Sequence, residues 1–259
     1  MDTSSVAFIG GGRITRIILE GWKKKNYSPS RISVSDADAD VLRGLQWKFP
    51  EIEIHPGENM AAVLRDIIFL AVHPPAMAGV LAEVKDVLRP TSIVISLAPK
   101  WTIQNLATGL GGFNRIVRMI PNAASIINEG FNPLSFSGVF TEAEKEEITE
   151  FLLALGDCPE VEEYKLEAYA ILTAMGPTYL WPQLNELQNL GETFGLTAQE
   201  AEAGLARMVD GTAKTLYASG MSYPEVMNLI PVKPLADEED SIREIYRAKL
   251  QGLYQKIKP

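Results

Sequence analysis

The sequence predicts an α/β protein in which a doubly wound parallel sheet is followed by an all-helical region. Short apolar runs alternate with helical patterns from residue 6 to residue 119, which is typical of a parallel sheet with helices on both faces. Several of these runs are continuously apolar, as expected for strands that are covered on both sides. After residue 165 the strand patterns stop, and three long helical patterns follow.

The alternation assigns an element to most of the chain. Strands are predicted at residues 6–9, 32–35, 52–54, 67–72, 92–97 and 115–119, with an edge strand over 134–140 and a last short strand at Val161. Helices are predicted from residue 13 and over 38–47, 59–65, 77–88, 101–110, 142–155, 166–191, 197–219 and 237–256. A Thr-x-x-Glu capping box at Thr197 predicts the start of the penultimate long helix.

The first strand runs directly into a glycine-rich turn that is typical of a phosphate site. Gly10 allows the tight turn, Gly12 lets a pyrophosphate approach the backbone, and the helix that begins at Arg13 and Ile14 presents free N–H groups to negative charge. Thr15 replaces the third glycine of the usual pattern with another small residue. An ordinary glycine-rich turn between a strand and a helix is the alternative.

A carboxylate at the end of the second strand supports the phosphate-site interpretation. Asp36 follows Gly12 by 24 residues, close to the spacing of about 20 expected for the acid that binds the adenosine ribose. It would repel a 2′-phosphate, so NAD is the expected cofactor and NADP the alternative. We therefore predict a Rossmann-type dinucleotide-binding domain over residues 1–160, and the change from strands to helices predicts a helical domain over 161–259.

Composition limits the remaining function classes. The net charge of −9 argues against a nucleic-acid partner, and no apolar run reaches the length of about 18 residues that a membrane span needs. The single cysteine, Cys158, excludes an internal disulfide and fits a reducing compartment. The N-terminus has no signal-peptide pattern, so the expected location is the cytoplasm. Two isolated histidines and one cysteine predict no metal site.

Five segments make the chain resemble the pyrroline-5-carboxylate reductase family over nearly its whole length. Their order and spacing match the family, and they lie at residues 8–12, 69–74, 94–98, 118–122 and 176–179. The resemblance implies a nucleotide domain, followed by a helical domain that interlocks with a partner subunit. It also implies hydride transfer from a nicotinamide to the C=N bond of a cyclic imino acid, as in proline biosynthesis.

Two departures from the family concern the substrate side. Thr173-Ala174-Met175 replaces the serine-glycine pair that precedes Gly176 in the family pattern. The family closes its substrate site with a Ser-Pro-Gly-Gly-Thr-Thr loop that holds the substrate carboxylate, and here residues 229–235 read Leu-Ile-Pro-Val-Lys-Pro-Leu. Either Lys233 pairs with the carboxylate in place of that loop, or the substrate lacks this carboxylate.

The resemblance and the strand ends together give the candidate site residues. We expect cofactor contacts at the ends of the predicted strands and in the turns that follow them, namely at Gly10, Gly12, Arg13, Ile14, Asp36, Ala71, Val72, His73, Pro74, Ser96 and Ala98. Substrate contacts are expected at Asn122, Thr173, Gly176 and Lys233, and Asn122 and Thr173 are the catalytic candidates. Capping of a turn or helix is the alternative role for Ser96 and Asn122. A loop position without function is the alternative for His73.

Three functions compete on this sequence. The first is an NAD(P)-dependent reductase of an imine or imino acid, and pyrroline-5-carboxylate is the best single named substrate. The second is a nucleotide-binding regulatory protein that has lost catalysis. The third is a related reductase that uses a deazaflavin or acts on a hydroxy or keto acid. A homodimer is also expected, because residues 166–191 carry more apolar side chains than one helical stripe buries, and Pro182 is expected to kink that helix.

Overall fold

The computed structural model describes residues 4–259 and confirms the predicted fold class. The chain forms two compact units, one that ends at Met175 and also includes Leu253–Pro259, and a second over Gly176–Gly252. Among the described residues, no strand lies between Leu166 and the C-terminus. A domain boundary near residue 160 stays a prediction. The last strand ends at Asp157, whereas the chain passes from the first unit to the second after Met175.

The first unit is built on a seven-stranded sheet with the order β3-β2-β1-β4-β5-β6-β8. Neighbouring strands in this sheet are parallel, except that β8 runs antiparallel to β6. The chain adds β2 and β3 on one side of β1 and then returns to add β4 on the other side, so the order reverses at β1. The strands of this sheet are β1 (Ser5–Ile9), β2 (Arg31–Asp36), β3 (Glu53–Pro56), β4 (Ile67–Leu70), β5 (Ile93–Ser96), β6 (Ile116–Met119) and β8 (Leu134–Phe136). Two further strands, β7 (Gly130–Phe131) and β9 (Gly156–Asp157), pair with each other in a separate two-stranded sheet.

Helices connect the parallel strands of the first unit and make up the second. In the first unit they are α1 (Arg13–Lys24), α2 (Ala39–Lys48), α3 (Asn59–Ala62), α4 (Pro74–Val84), α5 (Ile103–Gly109), α6 (Glu142–Leu152) and α7 (Leu166–Tyr169). In the second unit they are α8 (Pro177–Thr193), α9 (Ala198–Ala218), α10 (Tyr223–Asn228) and α11 (Glu239–Ile257), whose last residues belong to the first unit.

Large aromatic side chains fill the core beside β1 and β4. Phe8 and Phe69 stack with ring centroids 4.8 Å apart, and Trp22 of α1 packs edge-on against Phe151 of α6 at 5.5 Å. Phe8, Phe69 and Trp22 are essentially inaccessible to solvent. This packing fixes α1 against the sheet and therefore fixes the glycine turn that joins α1 to β1.

After β6 the predicted edge strand is present as β8, over Leu134–Phe136, but the last predicted strand, at Val161, was wrong. Val161 lies in no strand, although its N–H donates to the Leu134 carbonyl at 2.8 Å. The missed pair β7–β9 depends on two glycines in close approach, because a Cβ added to Gly156 would lie 2.2 Å from the carbonyl oxygen of Gly130. A pair of two-residue strands carries no periodic pattern that a sequence could reveal.

The predicted helix over residues 166–191 is interrupted. A π-helical turn over Ala170–Ala174 separates α7 from α8, and the Met175 N–H donates to the Ala170 carbonyl at 3.0 Å. Such turns often accompany functional sites. The capping box at Thr197 is confirmed, since its hydroxyl and the Glu200 carboxylate each bind the other residue's backbone N–H. The short helix α10 was missed.

Candidate active site

A cavity of about 500 Å³ opens at the carboxyl edge of the sheet, where the strand order reverses at β1. Ligands of open α/β sheets bind at such a point. Eight of the eleven residues predicted as cofactor contacts line it, at the ends of three neighbouring strands and in the turns that follow: Gly10, Gly12, Arg13, Ile14, Asp36, Ala71, Val72 and His73. The structure therefore brings these residues together, and their contact with a cofactor stays a prediction.

The glycine turn fits a dinucleotide phosphate. Gly10 has a φ of +106°, and a Cβ there would lie 2.5 Å from the Ala71 carbonyl oxygen, so no other residue suits this position. Gly12 has a φ of −72° and caps α1 without a side chain, and a Cβ there would meet no protein atom within 4 Å. Gly12 lines the cavity, and the first N–H groups of α1 have no partner within the helix.

Thr15 completes the turn from the inside. Its hydroxyl donates to the Gly10 carbonyl at 2.5 Å, and the side chain is fully buried. The Gly10 N–H donates in turn to the Ser35 carbonyl at 2.7 Å, which ties the end of β1 to β2. The prediction that a small residue packs at Thr15 is confirmed, and the same contacts hold the turn in a conformation that is open toward the cavity.

Asp36 ends β2 and lines the cavity, as the sequence predicts. One carboxylate oxygen accepts from the Gly11 N–H at 2.7 Å and the other from the Asp38 N–H at 2.9 Å. Each oxygen keeps a lone pair for a ribose hydroxyl, because a carboxylate offers about four acceptor positions. The carboxylate therefore holds the glycine turn in place and also stands at the cavity wall.

Sequence reasoning missed part of the cavity wall. Val41 of α2 is 37% exposed and lies at the cavity. Asn59 of α3 also lines it, with its Oδ1 accepting from the Ser35 hydroxyl at 2.7 Å and its Nδ2 donating to Glu83 at 2.9 Å. Only the packing of the helices brings these two residues to the site, and neither has a local signal.

The remaining predicted cofactor contacts lie outside this cavity. Ser96 ends β5 and Ala98 follows it, and both are buried. The Ser96 hydroxyl has no partner among the described residues. Pro74 begins α4 and lines a neighbouring groove together with Lys100 and Trp101. His73, which does line the cavity, immediately precedes α4 and makes no side-chain cap.

The two catalytic candidates are joined by a direct hydrogen bond. The Asn122 Nδ2 donates to the Thr173 carbonyl at 2.5 Å, and the Asn122 Oδ1 accepts from the Ala124 N–H at 2.8 Å. Asn122 is buried and caps the 3₁₀ turn that follows it, as the alternative reading has it. The Thr173 hydroxyl donates to the Tyr169 carbonyl at 2.8 Å and keeps acceptor capacity. A role in substrate binding stays a prediction for both.

The other two predicted substrate contacts belong to the second unit. Gly176 immediately precedes α8, in a helical conformation. Lys233 is exposed in the segment between α10 and α11, where its carbonyl accepts from the Ala236 N–H at 3.1 Å.

The described residues contain neither a membrane-spanning helix nor a cluster of metal ligands. In residues 4–259 no helix has the length and apolar character needed to cross a membrane. The same residues hold no group of three or more His, Cys, Asp or Glu side chains that is arranged to bind a metal ion.

The fold and the cavity define an oxidoreductase of the class that uses a nicotinamide dinucleotide. The family described as "NADP oxidoreductase coenzyme F420-dependent" matches residues 5–100. The chain is 26% identical to a pyrroline-5-carboxylate reductase of Methanosarcina acetivorans, over 98% of this chain and 94% of that protein. It is also 26% identical to the Escherichia coli enzyme of the same name, over 92% and 88%.

Solved structures agree with these relatives. A pyrroline-5-carboxylate reductase from Coxiella burnetii matches with a TM-score of 0.71 at 29% identity, over 98% of this chain and 94% of that one. The pyrroline carboxylate reductase of Plasmodium falciparum, solved with NADP bound, has a TM-score of 0.84 at 19% identity, over 100% and 98%, and shows the shared fold. The chain is therefore similar to pyrroline-5-carboxylate reductases over nearly its whole length, as the resemblance in the sequence predicts.

Proposed function

We propose that this protein reduces the C=N bond of a small cyclic imine or imino acid by hydride transfer from NADH or NADPH. The observation that carries the proposal is the cavity formed by the glycine turn, Asp36 and the segment after β4. Its residues fit a dinucleotide, and the relatives at 26% identity are named for the reduction of pyrroline-5-carboxylate. The reduced nicotinamide supplies the hydride. The protein therefore has to bind and orient the cofactor and the substrate, and to exclude water from the site.

Residues of the first unit account for the cofactor half of the site. The N–H groups at the start of α1 hold the pyrophosphate, and Asp36 accepts hydrogen bonds from the adenosine ribose. The segment from Ala71 to His73 lies along the cavity on the other side of β1, where the nicotinamide half follows. Thr173 and Asn122 are the proposed substrate contacts.

Turnover of a panel of cyclic imines tests the proposal. Purified protein is incubated with NADH, NADPH or reduced coenzyme F420, and the loss of cofactor absorbance is followed with pyrroline-5-carboxylate, uncarboxylated pyrrolines and a set of keto acids. We expect oxidation of a nicotinamide cofactor with an imine. Reaction only with coenzyme F420, or only with keto acids, would select the third function. Binding of cofactor without turnover of any substrate would select the regulatory function.

The segment expected to bind the substrate carboxylate is where this chain departs from the family that it resembles. The segment 229–235 has no glycine or threonine, and its exposed Lys233 is the one charged residue within it. We propose that Lys233 pairs with the carboxylate as a point charge. A charge-assisted hydrogen bond is worth about 1.5–3 kcal/mol, which corresponds to roughly tenfold to hundredfold in kcat/KM.

A comparison of two substrates tests this role of Lys233. Lys233→Ala should lower kcat/KM for pyrroline-5-carboxylate and leave an uncarboxylated pyrroline unchanged. Lys249→Ala, which removes a lysine from α11, is the matched control. Equal kcat/KM values in wild type and Lys233→Ala for both substrates would remove Lys233 from the site.

We further propose a homodimer formed by the second unit, in a reducing compartment such as the cytoplasm. Only Gly191 and Ala201 are buried among residues 176–252, while large apolar side chains of α8 and α9 remain exposed. An isolated helical unit with so small a core is not expected to be stable, and a second copy would cover these faces. The one cysteine, buried and unpaired, is consistent with a reducing environment.

A further inference from the structure

A buried carboxylate joins three elements of the first unit beside β5 and β6. Glu167 of α7 has a side chain that is 1% exposed. Its Oε1 accepts from the Arg118 Nη2 at 2.5 Å and from the Lys100 N–H at 3.0 Å. Arg118 lies in β6, is equally buried, and also binds Glu163 at 3.0 Å. One oxygen atom thus ties α7 both to a strand and to the loop after β5.

The loop held by Glu167 has an unusual backbone. Lys100 has a φ of +72°, a left-handed conformation that residues with a Cβ rarely adopt. Backbone conformations of this kind persist only where surrounding contacts fix them, and they cluster at functional sites. Here the contact that fixes the conformation is the hydrogen bond from the Lys100 N–H to a buried, charged oxygen.

Stability alone is a poor explanation for this arrangement. The attraction in a buried ion pair is largely offset by the desolvation of both charges. Ser96 of β5 pairs in register with Arg118 on the neighbouring strand and belongs to the same cluster as Glu167. Three buried atoms of this cluster have no partner among the described residues, namely the Glu167 Oε2, the Arg118 Nε and the Ser96 Oγ. The consequence of the cluster is therefore positional: it fixes where the loop after β5 lies.

That loop follows β5, the neighbour of β4, and the segment after β4 lines the cavity on the side of β1 away from Asp36. Asp36 ends β2 on one side of β1, while β4 and β5 lie on the other side. If Asp36 holds the adenosine ribose, the nicotinamide end extends over β4 and β5. We propose that Glu167, through the Lys100 backbone, is a positioning residue that fixes the loop from Ala98 to Trp101 against the nicotinamide end of the cofactor. This inference rests on the cofactor assignment of the proposed function and needs no particular substrate.

Binding of whole and truncated cofactor tests the inference without any catalytic assay. ADP-ribose lacks the nicotinamide, so its dissociation constant reports on the adenosine half alone. Glu167→Gln removes the charge and should weaken NADH binding about tenfold, the loss expected for one charge-assisted hydrogen bond, and leave ADP-ribose unchanged. If an imine is turned over, kcat should fall more than KM rises, because a displaced nicotinamide impairs hydride transfer more than binding.

An ion pair at the opposite edge of the same sheet, whose carboxylate is 37% exposed, is the control. Arg65 is also buried and pairs at 2.8 Å with Glu53, at the amino end of β3. Glu53→Gln should lower the melting temperature and leave both dissociation constants unchanged. The inference is overturned if Glu167→Gln keeps the wild-type ratio of NADH to ADP-ribose affinity. Loss of affinity for both ligands together would instead contradict the cofactor assignment of the proposed function.

A second pair of variants applies if Glu167→Gln does not fold. Lys100→Val keeps Glu167 but places a β-branched residue at a φ that it does not tolerate, whereas Lys100→Gly adopts this φ freely. Lys100→Val should weaken NADH binding selectively, and Lys100→Gly should not. Equal NADH affinity in the two variants would overturn the inference.

Discussion

The Asp36 carboxylate at the end of β2 has two roles, which a substitution can distinguish. Its carboxylate accepts backbone hydrogen bonds from Gly11 and Asp38, and it also lies at the cavity wall. Asp36→Asn keeps an acceptor for the turn and removes the charge. We expect NADH affinity to fall about tenfold with the loss of a charge-assisted bond to the ribose, and NADPH affinity to rise as the repulsion of its 2′-phosphate is removed. Calorimetry with both cofactors measures the change, and tighter binding of NADPH than NADH by the wild type would contradict the preference for NAD.

Burial changes the pKa and the reactivity of the Cys158 thiol. It is 4% exposed, and burial raises the pKa of its thiol to about 12. Because only the thiolate reacts, a thiol reagent at pH 8 should modify the unfolded chain and leave the folded protein unmodified. Rapid modification of the native protein would contradict this expectation, because it would show that the thiol becomes accessible in the folded state.

The same shift in pKa predicts a dependence of stability on pH. The pKa of the thiol is higher in the folded than in the unfolded state, so its stabilising contribution is complete below about pH 8.5, the unfolded value, and is lost as pH rises from there toward 12. The free energy of unfolding should therefore fall by up to about 1.4 kcal/mol per pH unit in this window. Cys158→Ala should lack this part of the slope in urea titrations, and an equal slope in both proteins would contradict it.

At the scale of elements, the two glycines of the first turn make different demands. An alanine at Gly12 meets no protein atom, so Gly12→Ala should keep its stability while its methyl group blocks the pyrophosphate and weakens cofactor binding by about tenfold or more. An alanine at Gly10 would collide with the Ala71 carbonyl at a positive φ, which should destabilise the fold by about 1–3 kcal/mol. Urea denaturation and cofactor titration of both variants measure the difference. Normal cofactor binding by Gly12→Ala would place the phosphates elsewhere.

The elements that could be predicted are those with a local signal. The strands β1, β4, β5 and β6 are short, mainly apolar runs, and β2 alternates apolar with polar residues. The capping box of α9 is a contiguous pattern. The π-helical turn before Met175 and the β7–β9 pair depend on tertiary contacts, so periodicity cannot show them. The same distinction holds at the site. The glycine turn and Asp36 follow from spacing, whereas Asn59 and Glu167 are brought into place only by packing.

At the scale of the whole molecule, the apolar faces of the second unit predict a dimer that is required for stability. Leu180, Trp181 and Leu187 of α8 are each at least 42% exposed, and Phe194 just after that helix is 78% exposed. Burying such side chains contributes about 1.5–3 kcal/mol each, so a second copy would supply the core that this unit lacks. Sedimentation should show a dimer or larger assembly at micromolar concentration, with a melting temperature that rises with protein concentration.

A substitution on α8 distinguishes this dimer from nonspecific association. Trp181→Glu places a charge within the proposed interface and should shift the protein toward monomer and lower its melting temperature. Trp47→Glu changes a tryptophan of the first unit that is 86% exposed, and it should leave both quantities unchanged. A wild-type monomer at micromolar concentration, or equal effects of the two substitutions, would show that the apolar faces of the second unit are not covered by a second copy.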